Sequence, residues 1–139
     1  MRLVLASNNA KKLVELGQLF APLGIELVSQ GSLGVGEAEE PHATFVENGL
    51  AKARHAAAAT GLPAIADDSG LCVDALGGAP GVQSAVFAPF TPVAGQDREA
   101  HRRAQDAANN HLLLARLAGV ADRRASFVCS LVALRSPAD

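Results

Sequence analysis

Apolar and polar positions follow two rhythms along this chain. Arg2 to Ala6 is a short apolar run, read as a strand, and Ser7-Asn8-Asn9 behind it has turn and helix-cap chemistry. From about Ala10 the period lengthens, and Leu13, Leu16, Phe20 and Leu23 mark one helical face up to Pro22-Leu23-Gly24. Ile25 to Ser29 reads as a second strand, and Gly31 to His42 as a glycine-rich, acidic loop containing Glu37, Glu39 and Glu40. Thr44 and Glu47 predict a capping box for an alanine-rich helix running to about Thr60-Gly61. Ala64 to Asp74, AIADDSGLCVD, is an apolar strand interrupted by two adjacent carboxylates. Gly77-Gly78-Ala79-Pro80-Gly81 turns the chain, and Ala85 to Gly95 is irregular. Asp97 to Leu117 predicts a helix ending at Gly119, and Arg124 to Leu134 a last strand. This order predicts an α/β fold, a mixed central β-sheet flanked by helices, in a single domain over residues 1–139.

Composition narrows the partners. With 49% hydrophobic and 19% charged residues, the 139-residue chain reads as globular. A net charge of -2 provides no field for nucleic acid, so any phosphate recognition has to be local. No apolar run approaches the ~20 residues that cross a bilayer, and the opening MRLVLASNN turns polar too soon for a signal peptide. Cys72 and Cys129 stand singly inside apolar runs and read as reduced core residues of a cytoplasmic protein. His42, His55, His101 and His111 make no zinc pattern.

Three stretches carry chemistry. Ser7-Asn8-Asn9-Ala10-Lys11-Lys12 enters a helix, where free amides and the dipole favour an anion, whereas lysines there oppose the dipole. An anionic ligand resolves that conflict. The chain's only lysines, Lys11, Lys12 and Lys52, all fall in such segments. The Glu37-Glu39-Glu40 cluster and Asp67-Asp68 supply carboxylates without neighbouring cysteine or histidine, a donor set for a hard cation such as Mg²⁺. Consecutive strand residues face opposite ways. Asp67 and Asp68 therefore share a ligand only if the backbone bends at Ser69-Gly70; in a regular strand, one faces the site and the other caps or orients a neighbour. Asn48 and Lys52, four apart, share a helix face beside Glu47.

In this order, S-x-N-x-x-K at Ser7, Asn9 and Lys12, LGVGEAEE, TFVENGLAKARHAA, LPAIADDSGLCVDALGGAPGVQSA and NNHLLLARL closely resemble the inosine triphosphate pyrophosphatase family. The resemblance covers nearly the whole chain and is weakest between Phe87 and Gln105. It implies an enzyme fold with a nucleotide cleft between two lobes, working as a homodimer. It also implies Mg²⁺-dependent hydrolysis of non-standard purine nucleoside triphosphates (dITP, ITP, XTP) to monophosphate and pyrophosphate. On matching positions, Ser7, Asn8, Asn9 and Lys12 fall at the phosphate-facing start of the first helix, and Lys52 as a second phosphate-binding lysine. Glu40 and Asp68 fall as metal-associated acids, Asp68 also as proton acceptor, and Ser69 as a substrate contact.

The chain departs from that pattern twice. Val86 stands where a basic residue is usual after GGAPG. Past the last strand, the resemblance implies further strands of the second lobe, an F-G-Y-D-P loop and a Ser-His-Arg segment that read the base. None precedes Asp139, and the sequence has no tyrosine or tryptophan, so the second lobe is expected to be largely missing. A non-catalytic nucleotide-binding or dimerisation fragment is the competing expectation. A pyrimidine-directed pyrophosphatase fits the DDSG and GGAPG stretches less well.

Overall fold

The computed structural model describes residues 1–91 and 94–139. Among these residues four strands, β1 (Arg2–Leu5), β2 (Glu26–Ser29), β3 (Ala64–Val73) and β4 (Ala125–Leu134), form one sheet in the order β2-β1-β3-β4. β1 runs parallel to both neighbours, with Leu3 opposite Leu27 and Leu5 opposite Ile65. Among the described residues there are three α-helices, α1 (Ala10–Phe20), α2 (Phe45–Thr60) and α3 (Arg98–Arg116). The α/β fold with a central sheet flanked by helices is the architecture the order of elements predicts.

Two compact units can be distinguished. The first comprises residues 1–68 with 129–139, and the second residues 69–128.

In the first unit the sheet is covered on both faces because its strands are apolar on both parities. Leu3, Leu5 and Ile65 pack with Leu13, Leu16 and Phe20 of α1. Val4, Ala6, Ala64, Ala66 and Leu134 pack with Ala53, Ala56 and Ala57 of α2. The small residues of α2 let its backbone come close to the sheet. A Cβ built on Gly49 would lie 3.2 Å from Val132 Cγ2, so glycine sets that approach. Asn9 caps α1 by accepting from the Lys11 and Lys12 amides, and Thr44 caps α2 by accepting from the Glu47 amide. Thr44 Oγ1 also donates to Glu47 Oε1 at 2.7 Å, so the expected box is closed through the hydroxyl.

Two expectations about burial are corrected here. Leu23 is 69% exposed: α1 gives way to a 3₁₀ turn at Ala21–Leu23 that takes the residue off the helical stripe. Cys129 is exposed and Cys72 half-buried, so neither is a core residue, although both thiols are free. The run ASFVCSLVAL is apolar on both parities, and the buried end of β4 is Leu134, while Phe127, Cys129 and Leu131 are exposed.

The second unit is organised by a polar side chain. Asn109 of α3 accepts from the Ala88 amide at 2.9 Å and donates to the Ser84 and Ala85 carbonyls. Gln105, one turn earlier, donates to Asn109 and to the Ala88 carbonyl. Together they fix the segment 84–88, where Arg116 also lies over the Phe87 ring at 4.9 Å. Asp97 caps α3 through the Ala100 amide. Within the irregular stretch expected at 85–95, residues 92 and 93 lie outside the described residues, and residues 81–86 form 3₁₀ turns.

Candidate active site

The site lies within the first unit, where the C-terminal end of β1, the start of α1 and β3 come together with α2 and the acidic loop. β3 runs as one unbroken strand from Ala64 to Val73, Ser69-Gly70 included. Alternation therefore sends Ala64, Ala66 and Asp68 toward α2 and Ile65 and Asp67 toward α1. Of the two arrangements open from the sequence, the one in which the adjacent aspartates face opposite ways is realised.

Asp67 meets α1. Its Oδ2 lies 2.6 Å from Lys12 Nζ, while the carboxylate is nearly buried and its Oδ1 has no hydrogen-bond partner. Lys12 thus stands at a helix start with an internal counter-ion, which relieves the conflict with the dipole. Asp68 meets α2. Lys52 Nζ lies 3.6 Å from Asp68 Oδ1 and 2.9 Å from Glu40 Oε1, and donates to the Asp67 carbonyl at 2.7 Å. One ammonium group thereby joins both acids of the expected metal pair to the strand backbone. Burial pushes the Asp68 carboxyl above its ordinary range. Lys52 pulls it down, Glu40 pushes it up, and the Asn48 amide favours its ionised form.

The first loop supports this pair. Ser7 Oγ accepts from the Asn9 amide at 3.0 Å, and Asn9 Oδ1 caps α1. Asn8 Nδ2 lies 3.4 Å from Glu37 Oε1, and Asn8 Oδ1 is buried without a partner. A Cβ on Gly31 would fall 2.5 Å from that oxygen, so only glycine admits Asn8 in this position. Lys11 and Glu39 are exposed. Ser69 is half-buried and opens the second unit.

The sequence did not single out Asn48 and His55 as loop ligands. Asn48 is buried on α2 and makes two hydrogen bonds with the His42 backbone, and His55 Nε2 lies 3.0 Å from the Gly36 carbonyl. Their spacing with Lys52 along α2 was the available signal, because positions 48, 52 and 55 fall on one helix face. That face grips the acidic loop at residues 42, 40 and 36.

The donor set suits a hard cation in part. Glu40 and Asp68 are oxygen donors on one ammonium, and the buried Asp68 Oδ2 is unpartnered, an acceptor with capacity left. Among the described residues no three acidic, histidine or cysteine side chains cluster as a metal cage. Two carboxylates fit a Mg²⁺ that draws its other ligands from water and phosphate.

The chain matches the Ham1 family over residues 3–139. It is 72% identical over 141 residues to a dITP/XTP pyrophosphatase of Leptothrix cholodnii, covering 100% of this chain and 66% of that protein. It is 74% identical over 139 residues to a dITP/XTP pyrophosphatase of Methylibium petroleiphilum, with the same coverage of 100% and 66%. A HAM1 protein from Coxiella burnetii superposes with a TM-score of 0.84 at 39% identity, covering 100% of this chain and 66% of that one. A nucleoside-triphosphatase / dITP/XTP pyrophosphatase from Mycobacterium abscessus gives 0.74 at 41% identity, covering 99% and 67%. The chain spans 66% of the length of the first two relatives. Among the described residues no helix is long and apolar enough to cross a membrane. With its sequence matched almost end to end and its fold shared with solved members, the chain belongs to the Ham1 family.

Proposed function

We propose that this chain carries the phosphate- and metal-facing part of a pyrophosphatase that hydrolyses dITP, ITP and XTP to the monophosphate and pyrophosphate. The observation that carries the reading is Lys52, held at once by Glu40, Asp68 and the Asp67 carbonyl, with Lys12 and Asp67 beside it. The names of the relatives support the substrate class.

Pyrophosphate release needs the charge on the phosphates neutralised and a water oriented on the attacked phosphorus. Lys12 and Lys52 supply two ammonium groups. The start of α1, with Ser7, Asn8 and Asn9, adds amide and hydroxyl donors. Asp68, ionised, accepts the proton of the attacking water and so generates the nucleophile. Ser69, next along β3, contacts the substrate. Glu40 and Asp68 would hold Mg²⁺, which when bound supplies charge neutralisation on the phosphate oxygens. Homodimer formation and a cytoplasmic setting are part of the same proposal and rest on the family resemblance.

Product analysis tests the reading. The purified chain incubated with Mg²⁺ and ITP, XTP or ATP should release pyrophosphate and monophosphate in equal amounts, with little choice among the bases, because the residues assigned to the site address phosphate and metal. Release of orthophosphate and diphosphate would reject it. Mg²⁺-nucleotide binding without turnover would favour the non-catalytic nucleotide-binding reading.

A further inference from the structure

Glu40 sits in a loop, and a loop side chain is a poor ligand unless something fixes its backbone. The nearest fixed point is two residues on. Asn48 Oδ1 accepts from the His42 amide at 3.0 Å, and Asn48 Nδ2 donates to the His42 carbonyl at 3.2 Å. This pair of bonds ties one residue's N–H and C=O to one side chain, as two paired strands tie each other. Asn48 is itself buried on α2, one turn before Lys52. A buried side-chain amide with both ends engaged has little freedom to move.

Between His42 and Glu40 stands Pro41. Its ring fixes its own φ, and its Cδ restricts Glu40 to extended backbone. Few soft dihedrals therefore remain between the tether and the carboxylate. Glu40 Oε1 arrives 2.9 Å from Lys52 Nζ, which also reaches Asp68.

We infer that Asn48 is a positioning residue, which through His42 and Pro41 sets the Glu40 carboxylate beside Asp68 for a divalent cation. The inference rests on the reading of Glu40 and Asp68 as the metal-holding pair and adds the element that assembles it. A merely structural Asn48 would stabilise α2 and the loop without discriminating Glu40 from any other loop residue.

The test is Mn²⁺ binding by calorimetry on the whole chain, with amide exchange at His42 followed in parallel. Asn48→Ala should weaken Mn²⁺ about 10-fold, the lower range for groups that orient a metal ligand, and should speed His42 exchange. In a Glu40→Gln background the same change should weaken Mn²⁺ clearly less, what remains being the direct effect of the Asn48 amide on Asp68. Wild-type affinity in folded Asn48→Ala, or an equal loss in the Glu40→Gln background, overturns the inference. Should Asn48→Ala fail to fold, Pro41→Gly at its exposed position decides. A several-fold weaker Mn²⁺ with His42 still protected supports the inference, and unchanged affinity overturns it. A wild-type chain that binds no Mn²⁺ overturns the metal pair and with it the role assigned to Asn48; wild-type binding without pyrophosphate release would overturn only the proposed hydrolysis.

Discussion

Lys12 Nζ and Asp67 Oδ2 lie 2.6 Å apart, although 55 positions separate them in the chain. The pair joins the first turn of α1 to β3, so it serves stability as well as charge. Asp67→Asn should therefore lower unfolding free energy by about 1 kcal/mol, a charge-assisted bond discounted because a third of the Lys12 side chain is exposed. Urea denaturation measures this. Unchanged stability would mean that Lys12 finds equivalent partners elsewhere.

Asp68→Asn should give the opposite balance. The change is nearly isosteric and removes only the charge of a carboxyl whose Oδ2 has no partner. Stability should hold, while hydrolysis falls on the order of 10²–10⁴-fold for loss of a general base. Steady-state kinetics on the pair of variants separates the aspartates. Near-normal kcat in Asp68→Asn, with a large loss in Asp67→Asn, would exchange their roles.

Lys12→Ala and Lys52→Ala should each weaken triphosphate binding by ~1.5–3 kcal/mol and leave nucleoside binding nearly unchanged. Lys52→Ala should be the more severe, because it also leaves Glu40 and Asp68 without their shared cation. Calorimetry with ITP and inosine decides, and equal losses for both ligands would indicate a folding defect.

Gly31→Ala tests the entry loop. The added methyl would fall 2.5 Å from Asn8 Oδ1, the free end of a side chain that can swing away. The melting temperature should move little, whereas triphosphate affinity should drop several-fold as Asn8 leaves its place. A large loss of stability with unchanged affinity would show that Asn8 serves packing alone.

The legible part of this protein was its local chemistry. Asn9, Thr44 and Asp97 cap their helices where Ser/Thr/Asn/Asp precede a change of period, and the apolar rows of β1 and α1 meet as their spacing predicts. Alternation also required Asp67 and Asp68 to part in a regular strand. Which helix each would meet depends on the side of the sheet that α1 and α2 occupy, and no short-range pattern encodes that. Asn48 shows in the sequence only as one of a polar stripe, because its bonds to the His42 backbone, six positions earlier, depend on how the loop folds back onto α2 and leave no periodic mark. Cys129 misled because β4 is apolar on both parities, so periodicity could not tell its covered face from its exposed one. The assignment of Glu40, Asp68 and the lysines came from the ordered set of motifs, not from any one of them.

The three attachments of the acidic loop to α2 have a consequence for chain length. Surface loops ordinarily tolerate added or deleted residues, since closing a slightly longer loop costs little. Residues 36, 40 and 42 are instead tied to His55, Lys52 and Asn48, on a helix whose turns repeat every ~5.4 Å. A single residue inserted between Gly36 and His42 shifts one attachment against the others by a large part of a turn. Homologues that keep this arrangement should therefore vary in loop composition while holding the spacing of 36, 40 and 42 constant, and gaps should gather on either side of the segment.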